Sequence, residues 1–354
     1  MFTRGNTGAR NYGLRSRDMA RAGRNAMTEA CESKTTSYST AQQNADRFEK
    51  FARYYVDNFS INDSRKIENS HILQYAEELA ERVEDGSLSV SSAHNYLSSV
   101  NAVIAQMRQD NLVRVTAAQT NIPNRSHITE QSKACSKDLH QHAKSLLDER
   151  LSILSEIQRE LGLRFEESVK CNPAELLTQA ARNFNPVTHT SHVNIIDGTK
   201  GGRSRIVDIT SKAQIEALKK AAQIQGSHRS MIPQNLSYKE FRSHCYSAYS
   251  KIKGYSPHKE RHHYAQHKYT HVMRALSGQN DILAPVLCKH SRGREHIKYI
   301  TSAIGSTYQR AKELDYRARY AVATSLGHSR VDITNAYLAL IGEITYVQHP
   351  ERSP

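Results

Sequence analysis

Apolar residues recur at helical spacing through much of the first 110 positions of the chain. Three sets share steps of three and four residues, and polar stretches at about 60–69 and 84–90 separate them. The sets are Phe48, Phe51, Tyr55 and Phe59; Ile72, Tyr75, Leu79 and Val83; and Leu97, Val100, Ile104 and Met107. This pattern predicts an all-helical domain over residues 37–125, with three or more helices and with the aromatic side chains in its core.

The segments on either side of this domain have a different composition. Residues 1–36 are poor in large apolar side chains, and six arginines oppose one aspartate in the first 27 positions. Such a segment buries too little surface to offset its ordering entropy, so we predict a flexible basic N-terminal arm. It either orders on DNA or stays a solvated tail, and the sequence leaves both open. Residues 111–130, with Pro123, are predicted to be a linker.

Beyond the linker the pattern predicts a second domain over residues 126–345, followed by a tail at 346–354. A long helical pattern covers 139–161. Two β-branched runs, 193–196 and 203–209, flank the glycine-rich turn 197–202 and predict a β-hairpin. The remainder to about 340 is predominantly helical in pattern. The expected fold class is therefore mainly α with a small β-hairpin (α+β).

Net charge adds a functional indication. The 354 residues carry a formal charge of +14, which is typical of nucleic-acid binders but also of ribosomal and membrane-surface proteins. No apolar run reaches membrane-spanning length. The five cysteines are scattered without a CxxC pair, so we expect a reduced, cytoplasmic environment and no disulfide framework or structural zinc site.

The most informative segment is 326–337, where His328 precedes Tyr337 by nine positions across a predicted helix break. A tyrosine phenol is a poor nucleophile at its free pKa of about 10. Neighbouring cations and hydrogen bonds make it useful when they stabilise the phenolate and the group it attacks. The alternative is an ordinary core tyrosine, so the question is whether the chain supplies those cations.

One cationic pair lies at the predicted start of a helix. Ser256 and Pro257 are a favourable N-cap and first position. His258 and Arg261 follow three residues apart, so both project from one face near the helix N-terminus. Backbone N–H groups favour an anion there, and the pair is a candidate phosphate site, although a lone His-x-x-Arg is common by chance.

Two further cations are candidates. Arg164 lies among apolar neighbours at a helix break with Glu167 three residues on, so Glu167 is placed to orient the guanidinium. The alternative is a structural Arg–Glu pair. Lys200 lies at the tip of the predicted hairpin, a position from which it could reach into a DNA groove or toward a leaving group. The alternative is an ordinary solvated lysine in a turn.

Taken in order, these residues resemble the tyrosine recombinases, the lambda-type phage integrase family. The Gly-Leu-Arg-x-x-Glu box of the family is similar to 162–167, its hairpin lysine to Lys200, its Pro-His-x-x-Arg-His box to 257–262 and its Leu-Gly-His…Tyr box to 326–337. The resemblance covers roughly 140–340. Each motif alone is weak or moderate, and the ordered set is specific. The helical domain before it is similar to the family's core-site DNA-binding domain in length and pattern only.

The resemblance implies a DNA strand transferase, a site-specific recombinase. Arg164 and Arg261 would clamp the phosphate, because guanidinium groups are planar, permanently charged donors. Tyr337 would attack to give a 3′-phosphotyrosine. By the same analogy Lys200 would protonate the leaving 5′-oxygen, His258 would transfer a proton and His328 would donate to the phosphate.

The same resemblance implies the partners. These are double-stranded DNA at specific sites, a homotetramer on two sites that passes through a Holliday junction, and accessory DNA-bending proteins. The phosphotyrosine bond conserves the energy of the phosphodiester, so neither a metal nor another cofactor is expected.

Two features depart from this simple picture. Arg261 and His328 are 67 positions apart, more than in typical family members, which indicates an insertion at about 277–314. The insertion is basic. It either adds a contact to DNA or to another protomer, or is a surface insertion without a specific function, and the sequence leaves both alternatives open. His263, His267 and His271 share one helix face, but no His-Glu-x-x-His motif accompanies them, so a surface or DNA-facing role is favoured over metal binding.

Two rival functions use the same residues. A non-catalytic DNA-binding regulator would keep the fold without cleavage, although all six chemical groups are present. A type IB-like topoisomerase would relax supercoils by similar chemistry without exchanging partners, although the additional helical domain disfavours it. A denaturant-resistant protein–DNA adduct would distinguish a recombinase from the non-catalytic regulator. An assay that compares strand exchange between two sites with relaxation of supercoils would distinguish it from the topoisomerase.

Overall fold

The computed structural model describes residues 8–126, 128–129, 131–288 and 292–339. The predicted tail 346–354 and Lys289 of the predicted insertion lie outside the described residues. The chain forms two compact units, residues 1–126 and 127–354. Each unit has its own hydrophobic core.

The first unit is built from helices with side-chain caps and apolar inner faces. Its helices are α1 (Met19–Glu32), α2 (Tyr38–Phe59), α3 (Asn69–Glu84) and α4 (Val90–Arg108). Asp18, Ser37 and Ser89 accept backbone N–H groups at the starts of α1, α2 and α4, which satisfies donors that a helix N-terminus leaves open. The prediction of an all-helical domain with an aromatic core is confirmed, since Phe48, Phe51 and Tyr55 are fully buried.

The prediction of a flexible arm is wrong for residues 8–36. Helix α1 packs on α2 and α4, and Met19, Ala22 and Ala26 are buried in the first core. A Cβ on Gly23 would lie 2.4 Å from Phe48, so the absence of a side chain there permits close packing. Small residues build this interface, whereas the prediction depended on large apolar side chains and therefore missed it.

The predicted linker 111–130 is also partly wrong. Val115 and Ile122 are buried in the first core. The Asn101 side chain also holds the segment, because its Nδ2 donates to the Val115 carbonyl oxygen and its Oδ1 accepts the Val115 N–H. The stretch therefore closes the first unit instead of spanning a gap.

The second unit is mostly helical around one two-stranded sheet, and the predicted mainly α fold with a hairpin is confirmed. The elements in chain order are α5 (Lys137–Leu146), α6 (Glu149–Leu161), α7 (Phe165–Lys170), α8 (Pro173–Arg182), β1 (Ser191–Ile195), β2 (Arg205–Ile209), α9 (Lys212–Gln225), α10 (Tyr238–Ser250), α11 (Pro257–Ser277), α12 (Pro285–Cys288), α13 (Arg294–Ile304), α14 (Tyr308–Ser325) and α15 (Asn335–Leu338). Helix α11 packs against α6 and α14 and forms the centre of this arrangement.

The sheet is an antiparallel hairpin in which Ser191 pairs with Ile209 and Ile195 with Arg205. Residues alternate between buried and exposed along both strands, as expected for a sheet with one face on the core. The turn passes close to α7, because a Cβ on Gly198 would lie 2.5 Å from the Glu166 carbonyl oxygen. Its positive φ of 71° also favours glycine.

Two helical segments differ in detail from the prediction. The pattern over 139–161 is two helices, because the chain turns at Leu147 and Asp148 caps α6 through the Leu151 N–H. The predicted insertion contains α12, α13 and the start of α14, and Ile297 and Ile300 of α13 are buried in the core of the second unit. This part of the insertion is therefore integral to the unit.

Within the described ranges, no helix is both long enough and apolar enough to cross a membrane.

Candidate active site

The C-termini of two helices place backbone carbonyl oxygens next to each other in the second unit, where they accept arginine N–H groups. We call this pair of carbonyl groups, from Gly162 and Leu326, the acceptor cradle. Gly162, whose φ of 62° is left-handed, is the C-cap of α6, and Leu326 is the C-cap of α14. Terminal helix carbonyls lack intrahelical donors and carry partial negative charge. The fully buried Arg261 of α11 donates Nη1 to the Gly162 carbonyl oxygen and Nη2 to the Leu326 carbonyl oxygen at 2.5 Å.

Arg164 joins the same cradle from the start of α7. Its Nη2 donates to the Leu326 carbonyl oxygen at 3.2 Å and its Nη1 to Glu167 Oε1 at 2.6 Å. Its side chain is 25% exposed, whereas Arg261 is fully buried. Arg164 therefore keeps access to solvent while its orientation is fixed.

Glu167 links the arginines. The carboxylate is fully buried and also accepts the backbone N–H of Arg164 at 2.7 Å. Burial by itself raises the pKa of Glu167, but the charge and hydrogen bond of Arg205, with the charge of Arg261, outweigh it and hold the pKa at about 2. Glu167 is therefore an anion at physiological pH.

Arg205 is a member of this cluster that motif reasoning missed. It donates Nη2 to Glu167 Oε2 at 2.7 Å and Nη1 to the Ser325 carbonyl oxygen. The signal was present in the sequence, because Arg205 shares the inward face of β2 with Val207 and Ile209. An arginine at an inward strand position requires buried acceptors, and here the helix ends and Glu167 supply them.

Tyr337 is buried on α15 with three histidine rings around it. Its ring centroid lies 4.6 Å from that of His262, 6.0 Å from His328 and 6.1 Å from His258. The three histidines differ in access: His258 is exposed, His328 is half-buried and His262 is buried. The structure thus brings together His258, His328 and Tyr337, and adds His262, which no motif had singled out as chemical.

Burial and neighbouring positive charges lower the pKa values of all three histidines. Burial, then the charges of Arg261 and Arg164, lower the pKa of His328 to about 4. Burial, then His258 and Lys133, lower the pKa of His262 to about 3. Partial desolvation of the ring by the surrounding protein, then the charges of Arg261 and Arg164, also lower the pKa of His258, although the residue keeps an exposed surface. At physiological pH His262 and His328 are therefore neutral, and a bound anion would stabilise their charged forms.

The Arg261 guanidinium is affected in the same way. Burial, followed by the charge of Arg205, lowers the pKa of Arg261 to about 10. The group stays charged, and burial is the larger of the two causes.

Several nitrogen atoms of this cluster are buried without a partner among the described residues. They are Arg261 Nε, Arg205 Nε, His262 Nδ1 and His328 Nε2. Leaving a buried donor unpaired costs about 1–3 kcal/mol, so native proteins rarely do so without a reason. An anion with several acceptor oxygens would satisfy such donors.

Lys200 lies in the hairpin turn at the edge of this cluster. Its side chain is exposed, and within the part of the chain that the structure describes its ammonium makes no hydrogen bond or ion pair. It is one of the cations that lower the pKa of His328, so the structure places it near the predicted site. The ammonium is free to reach a ligand there.

The other histidine series lies in a separate cleft. His263, His267 and His271 line a cavity of about 320 Å³ together with Glu160 and Asp208. Among the described residues, no three His, Cys, Asp or Glu side chains are placed to hold a metal ion.

Comparison with known proteins bears on the class of this chain. Residues 120–267 match the integrase family, a match that contains Arg164, Lys200, His258 and Arg261 and ends before His328. Over these residues the match confirms the resemblance to the integrases that the motifs predicted.

Solved structures give weaker likenesses. A XerH site-specific recombinase bound to palindromic difH substrate is 14% identical with a TM-score of 0.42, over 83% of this chain and 80% of that chain. The Tn1549 transposon integrase in complex with circular intermediate DNA is 12% identical with a TM-score of 0.46, over 89% and 94%. A lambda integrase dimer bound to a COC′ core site is 14% identical with a TM-score of 0.43, over 69% and 88%. No curated protein matched the chain.

Proposed function

We propose that this protein cuts and rejoins DNA at specific sites through a 3′-phosphotyrosine formed by Tyr337. The observation that supports this most strongly is the position of Tyr337 beside the buried, unpaired nitrogen atoms of His262 and His328 and close to the charge of Arg261. A scissile phosphate bound there would meet a nucleophile, charge-neutralising guanidinium groups and a proton carrier at once. That combination is what phosphoryl transfer requires.

The proposed reaction balances without a cofactor. The Tyr337 oxygen forms a bond to phosphorus, and the bond from phosphorus to the 5′-oxygen breaks. The phenol proton passes to the exposed, neutral His258, and Lys200 supplies a proton to the departing 5′-oxygen. In the second half, the 5′-hydroxyl of a partner strand returns its proton to Lys200 and bonds to phosphorus, the bond from phosphorus to the Tyr337 oxygen breaks, and the phenol regains its proton from His258.

Charge stabilisation is the task we assign to the remaining groups. Arg164 and Arg261 face the non-bridging oxygens as they gain charge, and His328 donates from Nε2. Glu167, which Arg205 holds in turn, keeps the Arg164 guanidinium in place, and the Gly162 and Leu326 carbonyls keep that of Arg261 in place. Because the helix carbonyls already hold the arginines, little reorganisation is required when the phosphate arrives.

The proposed partners follow from this reaction. Double-stranded DNA with a specific site is the substrate, and reciprocal exchange of four strands requires a homotetramer on two sites through a Holliday junction. We assign binding of the DNA that flanks the cleavage position to the first unit. We place the whole protein in the cytoplasm, where it would act on DNA of the nucleoid. Accessory DNA-bending proteins remain part of the proposal.

The first experiment tests covalent chemistry. A binding site is selected from random duplexes, nicked just to the 3′ side of the cleavage position and incubated with the protein. Cleavage then releases a short fragment with a free 5′-hydroxyl, which diffuses away and leaves the adduct. We expect a denaturant-resistant adduct that is absent with Tyr337→Phe. Tyr320→Phe, an exposed tyrosine on α14, is the matched control and keeps the adduct.

Two results would contradict the proposal. Tight binding without an adduct would favour the non-catalytic regulator, and an adduct that persists in Tyr337→Phe would identify a different nucleophile. Relaxation of supercoiled DNA without exchange between two sites would favour the topoisomerase.

The second experiment tests Lys200. Replacing the 5′-bridging oxygen of the scissile phosphate by sulfur gives a leaving group that needs no proton. We expect Lys200→Ala to slow cleavage of the oxygen substrate by about 100-fold and to cleave the sulfur substrate at the rate of the unaltered protein. An equal deficit on both substrates would assign Lys200 to binding instead.

A further inference from the structure

Helix α15, which carries Tyr337, is short and is held by side chains of other helices. It has four residues and no side-chain cap at its N-terminus. An isolated helix of this length is unstable, so its position depends on tertiary contacts. Gln266 of α11 donates to the Tyr337 carbonyl oxygen at 3.1 Å, which fixes the C-terminal end of the helix.

The N-terminal end is fixed by Arg319 of α14. Its Nη1 donates to Asn335 Oδ1 at 3.1 Å and its Nε to Asp315 Oδ2 at 2.8 Å. Arg319 is 9% exposed. An arginine has donors only, so the oxygen of the Asn335 amide is the atom that faces it.

The other oxygen of Asp315 connects this pair to the insertion. The fully buried Tyr269 of α11 donates to Asp315 Oδ1 at 2.6 Å, and His296 of α13 lies 3.0 Å from the Tyr269 hydroxyl through Nε2. Because the hydroxyl has one proton and gives it to Asp315, His296 Nε2 is the donor to Tyr269. His296 is itself fully buried.

We infer that Asp315, Arg319 and Asn335 form a positioning network for Tyr337, which His296 of the inserted helix α13 completes. This inference rests on the proposed function, since it concerns how the nucleophile is placed. Arg319 needs its carboxylate partner to keep the orientation that reaches Asn335, and Tyr269 with His296 holds that carboxylate. Helix α13 thereby acts on the reaction through contacts within the second unit.

The decisive variants are at Asn335, since they leave the buried Arg319–Asp315 pair intact. Asn335→Ala removes the acceptor, and we expect the rate of adduct formation at saturating protein to fall about 100-fold, as for a nucleophile displaced by about 1 Å. Asn335→Asp keeps an acceptor for Arg319, so we expect at least half of the unaltered rate. The dissociation constant for DNA should not change in either variant.

A spectroscopic measurement follows the tyrosine directly. With 3-fluorotyrosine at position 337, the protein without DNA should give one shifted ¹⁹F resonance. Asn335→Ala and Arg319→Met should broaden it or move it toward the value of an exposed tyrosine, and His296→Phe should do so to a smaller extent. Arg317→Met, the same change at an exposed arginine on the same helix, should leave it unaltered.

The outcomes separate the two proposals. Unaltered rates and an unaltered ¹⁹F resonance in Asn335→Ala, or an Asn335→Asp rate as low as that of Asn335→Ala, would overturn the network while Tyr337 remained the nucleophile. A protein that binds its site but forms no adduct would overturn the proposed function, and the ¹⁹F spectra would still decide the network. If Arg319→Met does not fold, the Asn335 variants decide it alone.

Discussion

At the residue scale, the site depends on arginines that are held by backbone carbonyls rather than by carboxylates alone. Arg261 has no hydrogen bond to Glu167 and lies 3.8 Å from it, whereas its donors reach the ends of α6 and α14. Carbonyl acceptors orient a guanidinium without neutralising its charge. The positive potential is therefore kept for a ligand.

Removal of Arg205 should be costly because its partners are buried. We expect Arg205→Met to lower the free energy of unfolding by about 3 kcal/mol, as for loss of one member of a buried ion pair, and to raise the pKa of Glu167. Urea denaturation measures the first effect. Arg203→Met, an exposed arginine of the same hairpin, should stay within about 0.5 kcal/mol, and an equal loss in both variants would contradict this role.

The buried histidines predict a pH dependence of stability. The unfolded pKa of histidine is about 6.5, whereas that of His262 is about 3 in the folded protein. As pH falls from 6.5 toward 4 the unfolded chain binds a proton that the folded chain does not, so the free energy of unfolding decreases. His262→Phe should reduce this slope by up to about 1.4 kcal/mol per pH unit.

Denaturation curves between pH 4 and 7 measure that slope, with His192→Phe on the exposed face of β1 as the control. A slope that His262→Phe leaves unchanged would show that this imidazole does not titrate between the folded and unfolded states as proposed.

At the element scale, most groups of the site lie at the ends of helices. The C-terminus of α6 supplies Gly162, that of α14 supplies Leu326, and α11 begins with His258 and Arg261. Ends of helices present unpaired backbone groups, so they bind charged side chains and anions where helix interiors do not. The hairpin adds Arg205 from its strand and Lys200 from its turn.

Gly162 should be the least replaceable of the helix-ending glycines. A Cβ there would lie 2.4 Å from the Tyr264 ring, and its φ is left-handed. Gly278, which ends α11, has a similar φ and nothing within 4 Å. We expect Gly278→Ala to cost about 1 kcal/mol from backbone strain and Gly162→Ala to cost more, with slower adduct formation. Thermal melts compare them, and equal costs would argue against the steric contact.

At the scale of the whole molecule, two units with separate cores predict separable folding. Residues 1–126 have a complete core to which α1 contributes Met19, Ala22 and Ala26. We expect this fragment alone to melt cooperatively by circular dichroism. A fragment of 33–126 should lose cooperativity, because Phe48 and its neighbours would be uncovered. If the fragment without α1 melted in the same way as the longer one, the result would support the original prediction that residues 1–36 form a flexible arm.

Much of this organisation was predictable from local chemistry. Helical spacing identified α2, α3 and α4, and the glycine-rich turn between β-branched runs identified the hairpin. The ordered motifs identified Arg164, Lys200, His258, Arg261, His328 and Tyr337 as one set, and their assignment as catalytic stays a proposal. Small-residue packing hid α1, and a buried arginine in a strand, Arg205, belonged to no motif.

The sequence by itself determined which residue types are present and at what spacing, because periodicity, caps and turn residues act over a few positions. Only the tertiary structure decided that Arg205 meets Glu167, that His262 lies against Tyr337, and that α13 connects to α15 through Tyr269, Asp315 and Arg319. Those contacts join residues far apart in the chain, and they form only when the burial of apolar faces brings the helices together.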